Sequence, residues 1–367
     1  MKDAVHVIDG ACGPDILLEA SRAAGEGEQM LCLGCPQGRA TWAGLLGPER
    51  ILAAIPRSTL LGARVRPPAN PLDHDWVARC WSLGAARKLT SLGLWPGPAL
   101  TLRLSSAPSE AEVRALRQFA QVGHFAVACR GESIAERVRR AGISAIVEVI
   151  PPPAAPATAD DRAKSRRRLG VGDDEIAIAA PGRATRATGH RQVVWAADIL
   201  CEAGYPVRVI LQGSADAAHQ AAEFARQTGF GGKLTVAEPS SSLGDLLAPA
   251  DIAVFLHRQA LPVATVAAAL ASGLAIVAAD TPAARDWLTD GRDALLAGPG
   301  SPRQAAMAIM RIIEDKNLAA RLGRSGRALA EGTFALESVR GQWRRLDERL
   351  LERMGAGQPA GTGGGTV

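Results

Sequence analysis

Lysine and tyrosine are scarce in this chain of 367 residues, which has 42 basic residues but only five lysines, and a single tyrosine. The other 37 basic residues are arginines, a bias that we interpret as genome composition. A single arginine is therefore a weak functional signal. The net charge of +5 is spread along the chain without basic blocks or interleaved aromatic residues. This pattern predicts no binding to nucleic acid.

Cysteine is also sparse, and its spacing is irregular. The six cysteines stand at positions 12, 32, 35, 80, 129 and 201. In a chain of this length they do not form a disulfide framework. The Cys32-x-x-Cys35 pair lacks a second pair and a histidine cluster, so no metal site is predicted. Two half-buried thiols at a strand end are favoured over a redox role for this pair.

Long apolar runs are absent as well. No stretch reaches the roughly 18 apolar residues of a membrane span, and the first residues lack the pattern of a secretory signal. We therefore predict a cytoplasmic protein without a transmembrane segment, and peripheral contact with a membrane stays open. The composition, with 47% hydrophobic and 22% charged residues, is typical of globular proteins, and the length favours two domains.

Short apolar runs alternate with helical patterns along the whole chain, which indicates parallel sheets wrapped by helices. In the first half the predicted strands are 4–9, 28–34, 49–55, 99–105, 124–130 and 144–150. Predicted helices in that half are 15–25, 76–93 and 109–121. In the second half we predict strands at 175–183, 206–213, 232–238, 251–257 and 274–280, and a helix at 191–204.

A proline-rich segment, PPPAAPATADD, interrupts this alternation at residues 151–161 and predicts a linker. The alternation then restarts, so the fold class is α/β, with one Rossmann-like domain at 1–150 and a second at 162–335. A helix is predicted at 336–354. The glycine-rich residues 355–367 are predicted to be a disordered tail.

Several motifs of the second half occur in a fixed order. They are APGR at 180–183, Gly-His-Arg at 189–191, APADIAVFLH at 248–257, LASGLAIVAAD at 270–280 and DWLTDGRDALLAGPGSP at 286–302. This series resembles the donor-binding domain of retaining glycosyltransferases of the GT-B fold, in the large family 4 (group 1). The resemblance implies two Rossmann-like domains facing a central cleft, with the helix 336–354 crossing back to the first domain.

The resemblance also implies a function: transfer of a hexose from a nucleoside-diphosphate sugar to an unknown acceptor, with retention at the anomeric carbon and without a metal or cofactor. In this family the leaving diphosphate is thought to help accept the proton of the acceptor. The alternative is a non-catalytic relative that binds a sugar, a nucleotide or a partner enzyme as a scaffold.

Side chains that the family uses for chemistry are missing here. Counting back from Gly273, the two glutamates of the family correspond to Ala260 and Ala268, and the phosphate-binding lysine corresponds to Thr188. Only Arg183 survives of the four. The sequence therefore assigns no catalytic side chain, and the missing carboxylate at Ala268 predicts weaker nucleotide binding.

The remaining candidates are backbone groups and neighbouring cations. Thr265 is predicted to cap a short helix that begins near Val266 and offers free N–H groups to an anion, although a helix that only packs is the alternative. The predicted donor and phosphate ligands are Gly182, Arg183, Arg186, Gly189, Arg191, Thr265 and Val266. The candidates in the predicted cleft are His257, Ala260, Ala268, Asp9, Gly10 and Gly13.

Overall fold

The computed structural model describes residues 4–9, 19–20, 23–24, 28–35, 51–56, 77–91, 99–122, 124–154, 162–182, 188–212, 215–238, 242–258 and 261–356. The chain divides into two compact units, Met1–Pro152 with Leu336–Val367, and Pro153–Ala335. Each unit contains a parallel β-sheet, and helices follow most of the strands. The predicted α/β class with two Rossmann-like domains is confirmed.

The first unit is built on a sheet of seven described strands. These are β1 Ala4–Asp9, β2 Gln29–Cys35, β3 Ile51–Pro56, β4 Val77–Cys80, β5 Ala99–Leu104, β6 Phe125–Cys129 and β7 Ile146–Val149. Their order in the sheet is β3-β2-β1-β4-β5-β6-β7, and all neighbours are parallel. The described helices of this unit are α1 Leu83–Ser91, α2 Glu110–Val122, α3 Glu132–Arg140 and α12 Leu336–Ala356.

One predicted element of the first unit is wrong. The sequence predicted a single helix over 76–93, whereas the structure has β4 at Val77–Cys80 followed by α1 at Leu83–Ser91. All four residues of β4 are buried, because this strand lies between β1 and β5. A strand covered on both faces shows no alternation of polar and apolar residues, so its pattern cannot be distinguished from that of a buried helix.

The last helix, α12, covers one face of the first sheet. Its buried residues recur every three or four positions, which gives it one apolar stripe. The stripe consists of Val339, Trp343, Leu346 and Leu350. The guanidinium groups of Arg79 and Arg103 lie 5.3 and 5.8 Å from the ring of Trp343. The tryptophan is thus held by cation–π contacts as well as by apolar packing.

A buried polar network joins α12 to the central strands. Arg79 Nε and Nη2 donate to Asp347 Oδ2 at 3.0 and 2.5 Å, and its Nη1 donates to Glu28 Oε2 at 2.9 Å. The indole N–H of Trp81 donates to His6 Nδ1 at 3.0 Å. Burial raises the pKa of Asp347 even though the charge of Arg79 acts against this shift. The C-terminal helix is therefore fixed by a directional ion pair.

A second buried network lies near the carboxyl ends of β5 and β6. The carboxylate of Glu19 accepts hydrogen bonds from Arg103 and Arg130. Arg103 also donates to the carbonyl oxygens of Cys129 and Ile150, at 3.3 and 2.5 Å. Burial alone would raise the pKa of Glu19, but the two arginines outweigh it and hold that pKa below its usual value. Glu19 is therefore a buried carboxylate with two cationic partners.

The second unit has a six-stranded parallel sheet. Its strands are β8 Ile176–Ala180, β9 Val207–Gln212, β10 Leu234–Ala237, β11 Ile252–Phe255, β12 Ala275–Ala279 and β13 Leu295–Ala297, in the order β10-β9-β8-β11-β12-β13. The helices are α4 Arg162–Arg168, α5 His190–Glu202, α6 Ala215–Gln227, α7 Leu243–Leu247, α8 Val263–Ala271, α9 Pro282–Arg285, α10 Pro302–Glu314 and α11 Lys316–Gly332, with a 3-10 helix at Phe230–Lys233.

Candidate functional site

The strand order of the second sheet reverses between β8 and β11. From β8 the chain proceeds outward through β9 and β10, whereas β11 is followed by β12 and β13 on the other side. Open α/β sheets bind their ligands outside the carboxyl ends of the strands at such a switch point, because the helices that follow the two strands diverge there. The residues after Ala180 and after Phe255 are therefore the place to look for a site.

Gly182 follows β8 and has a backbone conformation that favours glycine, with φ of +104°. Its N–H donates to the side-chain oxygen of Gln212 at the end of β9, at 3.1 Å. The predicted site residue Gly182 thus lies at the carboxyl edge of the second sheet.

Gly189 brings the start of α5 against the end of β11. It precedes the helix with φ of +74°, and a Cβ atom at this position would lie 2.3 Å from the carbonyl oxygen of Leu256. Only a residue without a side chain permits this approach. The glycine of the Gly-His-Arg motif therefore places the N-terminus of a 13-residue helix beside the switch point.

His190 is the first residue of α5, and its ring is buried between strand and helix. Its Nε2 lies 3.1 Å from the carbonyl oxygen of Ala180, and its Nδ1 lies 2.8 Å from the hydroxyl of Thr188. Burial lowers the pKa of His190 to about 4, although hydrogen bonds with the Ala180 and Gly182 carbonyls oppose this effect. The neutral ring donates from Nε2 and accepts the Thr188 hydroxyl at Nδ1.

His257 stands two residues after β11, on the other side of the switch point. It is 9% exposed, and its Nδ1 atom is buried without a hydrogen-bond partner. Burial, assisted by the charge of nearby His190, lowers the pKa of His257 to about 3. Its ring centroid lies 6.4 Å from that of Phe255. The structure thus brings two neutral histidines to the carboxyl edge of the second sheet.

The helix after His257 begins earlier than the sequence predicted. α8 starts at Val263 with Pro262 at the N-cap position, so Thr265 is not the cap and the helix does not begin at Val266. The N–H groups of Thr265 and Val266 both donate to the Pro262 carbonyl, at 2.9 and 3.0 Å. The prediction of a free N–H at Val266 is wrong, because a proline with fixed φ starts the helix one turn earlier.

Ala268 occupies the position where the resemblance implies a ribose-binding carboxylate. It is 1% exposed and belongs to an apolar cluster that includes Phe255 and Leu270. Its carbonyl oxygen accepts the hydroxyl of Ser272 at 2.9 Å. The position is therefore part of the packing between α8 and the sheet.

Thr188 and Arg191 have protein partners of their own. The hydroxyl of Thr188, at the position of the family's lysine, contacts His190. The guanidinium of Arg191 lies 4.7 Å from the ring centroid of Phe224 on α6. The predicted phosphate contact of Arg191 therefore competes with a cation–π contact.

Several predicted site residues lie wholly or partly outside the described residues. Asp9 ends β1 opposite Leu33, and its side chain lies outside the described residues. The other candidates outside the described residues are Arg183, Arg186, Ala260, Gly10 and Gly13. Within the described ranges no group of three or more histidine, cysteine, aspartate or glutamate side chains is arranged to hold a metal ion.

His190 was not among the predicted site residues. Its signal was available, because a histidine directly after the glycine of the 189–191 motif follows the strand that ends at Ala180. The ring links the end of β8 to the start of α5 through hydrogen bonds with Ala180 and Thr188, and these contacts are visible only in the folded chain.

Comparison with protein families gives a match within the second unit. Residues 161–329 match the family described as Glycosyl transferases group 1. No curated protein matches the sequence. None of the helices within the described ranges has the length and apolar character needed to span a membrane.

Solved structures share the fold over nearly the whole chain. A glycosyltransferase from Rickettsia africae ESF-5 matches with a TM-score of 0.76 and 14% identity, covering 96% of this chain and 99% of that one. Anabaena HepE in complex with UDP and glucose matches with a TM-score of 0.78 and 16% identity, covering 94% and 98%. Sucrose-phosphate synthase from Thermosynechococcus elongatus matches with a TM-score of 0.73 and 16% identity, covering 96% and 100%.

Proposed function

We propose that this protein transfers a hexose from a nucleoside-diphosphate sugar with retention, because residues 161–329 match the glycosyl transferases group 1 family and the chain has the GT-B fold of the solved glycosyltransferases. The family match carries the proposal. Crystals of HepE hold UDP, UDP with glucose, or UDP-glucose, which supports a uridine nucleotide as the first donor to test.

The switch point supplies the local structure that the proposal needs. Gly189 lets the start of α5 approach the end of β11 closely, and Gly182 turns the chain after β8 in a conformation that favours glycine. The N-terminus of α5 presents the positive end of a helix dipole there. No acidic side chain stands in the first turn of α5 to compete for this end. The nucleotide diphosphate would therefore be held at the carboxyl edge of the second sheet.

The proposed chemistry needs no protein nucleophile. The bond between the anomeric carbon and the diphosphate oxygen breaks, the acceptor oxygen bonds to the same face of the carbon, and the acceptor proton passes to the departing diphosphate. We propose no metal or cofactor, because the resemblance implies none. The protein's task is to bind and orient the donor and to stabilise the charge of the leaving group.

A protein that binds a nucleotide sugar without transferring it is the second candidate. Two observations favour it: Ala268 is packed in an apolar cluster where the resemblance implies a carboxylate, and the Thr188 hydroxyl contacts His190 where the resemblance implies a lysine. We expect both changes to weaken binding of the ribose and the diphosphate and to leave the fold intact.

Calorimetry with a panel of uridine and guanosine diphosphate sugars tests the binding, and release of nucleoside diphosphate with NMR of the transferred anomer tests the reaction. Arg183→Ala is expected to weaken nucleotide affinity about tenfold, as for one lost charge-assisted contact. Arg303→Ala, on the exposed side of α10, is the matched control. Equal affinity in wild type and Arg183→Ala would argue against this site, and binding without turnover would favour the second candidate.

A further inference from the structure

We propose that the imidazole of His257 donates an uncharged hydrogen bond from Nδ1 to an oxygen of the nucleoside diphosphate at the carboxyl edge of the second sheet. The inference rests on the proposed function and assigns a ligand and a donor atom to a residue that the sequence named only as a candidate in the predicted cleft. It is carried by an unpartnered atom, its burial and its place in the sheet.

The unpartnered atom is unusual in a folded protein. His257 is 9% exposed, and its Nδ1 has no hydrogen-bond partner. Burying such a group without a partner is unfavourable, and most buried polar atoms are bonded to protein or water. A ligand that accepts a hydrogen bond from Nδ1 would explain why this atom is buried at the strand end without a protein partner.

The place of His257 is where an α/β sheet presents its ligand. It follows β11 at the switch point, and its chain neighbour Leu256 touches the start of α5 at Gly189. The ring centroid lies 6.4 Å from that of Phe255, which packs in the same apolar cluster as α8. The imidazole is therefore close to the beginning of α5 and to the face of the sheet covered by α8.

The electrostatic surroundings keep this imidazole neutral. Burial and the neighbouring His190 lower the pKa of His257 to about 3, so that at neutral pH it offers a single N–H donor. His190 has both of its nitrogens engaged, with Ala180 and Thr188. Of the two histidines, only His257 has a ring nitrogen, Nδ1, without a protein partner. Phosphate oxygens are strong acceptors for an N–H at this position.

The test uses the full chain and three variants, with UDP and GDP as probes. His257→Leu removes the polar atom and keeps a similar volume. It should weaken UDP binding about tenfold in calorimetry and at the same time raise the unfolding midpoint of the ligand-free protein by roughly 2 °C. His257→Asn places an amide nitrogen near the position of Nδ1 and should keep most of the affinity. His219→Leu, on the exposed surface of α6, is the control.

The two readouts have opposite signs, which a merely structural histidine would not produce. The inference is overturned if His257→Leu binds UDP as wild type does, or if its ligand-free midpoint falls. Uridine without phosphates should show no difference between wild type and His257→Leu, and a difference there would overturn the diphosphate assignment. If wild type binds neither UDP nor GDP at millimolar concentration, the proposed function fails along with the inference. If wild type binds and His257→Leu binds equally, only the inference fails.

Discussion

Among the described residues, the first unit buries four charged side chains, Glu19, Arg79, Arg103 and Asp347, whereas the second unit buries one, Asp293. The interior of the second unit is mostly alanine, valine, leucine and isoleucine, together with the neutral His190 and His257. Buried ion pairs orient neighbouring elements through directional hydrogen bonds, whereas small apolar side chains orient them through close packing. The two units thus reach the same type of sheet with different interiors.

The largest effect is expected from removing one charge of the first unit. Arg103→Met leaves Glu19 buried with Arg130 as its remaining cation and leaves the Cys129 and Ile150 carbonyls without this donor. We expect a loss of about 3 to 5 kcal/mol in the free energy of unfolding, measured in urea. The double variant Glu19→Leu with Arg103→Met is the control and should recover part of the loss. A loss below about 1 kcal/mol would contradict the role of this network.

A smaller loss is expected when a charge is introduced into the second unit. Ala268→Glu buries a carboxylate in an apolar cluster and should lower stability by about 3 kcal/mol without added stabilisation by UDP. Ala328→Glu, on the exposed side of α11, is the matched control. Tighter UDP binding by Ala268→Glu, measured by calorimetry, would instead mean that the ribose pocket is retained and that this alanine faces it.

The smallest expected effect per residue concerns acid. In the folded protein the pKa values of His190 and His257 are lowered from 6.5 to about 4 and about 3. As pH falls below 6.5, these two histidines therefore become protonated in the unfolded chain while they stay neutral in the folded chain. The stability present above pH 6.5 is therefore lost as pH falls, by about 2 kcal/mol per histidine at pH 5. Hydrogen exchange in the second unit should show this loss, and His257→Leu should reduce it. An equal loss in both proteins would argue against the buried neutral state of His257.

The alternation of apolar runs and helical patterns was enough to predict the class of both sheets. The exact start of an element was harder, as Thr265 shows. A threonine ahead of an apolar run is a typical N-cap, but Pro262 starts α8 three residues earlier. Nothing in the spacing distinguishes the two, since both residues are common at helix starts.

The buried charges were not predicted, for a different reason. Arg103 and Glu19 are 84 positions apart, and Arg79 and Asp347 are 268 apart. In a chain with 37 arginines neither pair has a local signal. The candidate site was predictable only in part. The glycines Gly182 and Gly189 were predicted from their motifs, whereas the proximity of His190 to His257 required the strand order of the sheet.

The position of α12 in the chain determines when the first unit can finish folding during synthesis. The second unit, Pro153–Ala335, is continuous in the chain, but the first unit is completed by Leu336–Val367. During synthesis on the ribosome, Arg79 therefore has no Asp347 to bind until α12 emerges. The sheet face that Trp343 covers also stays exposed until then. We expect the unit that is translated second to finish folding first. A stop codon after residue 335 would then leave a finished second unit attached to a first unit that chaperones recognise as incomplete.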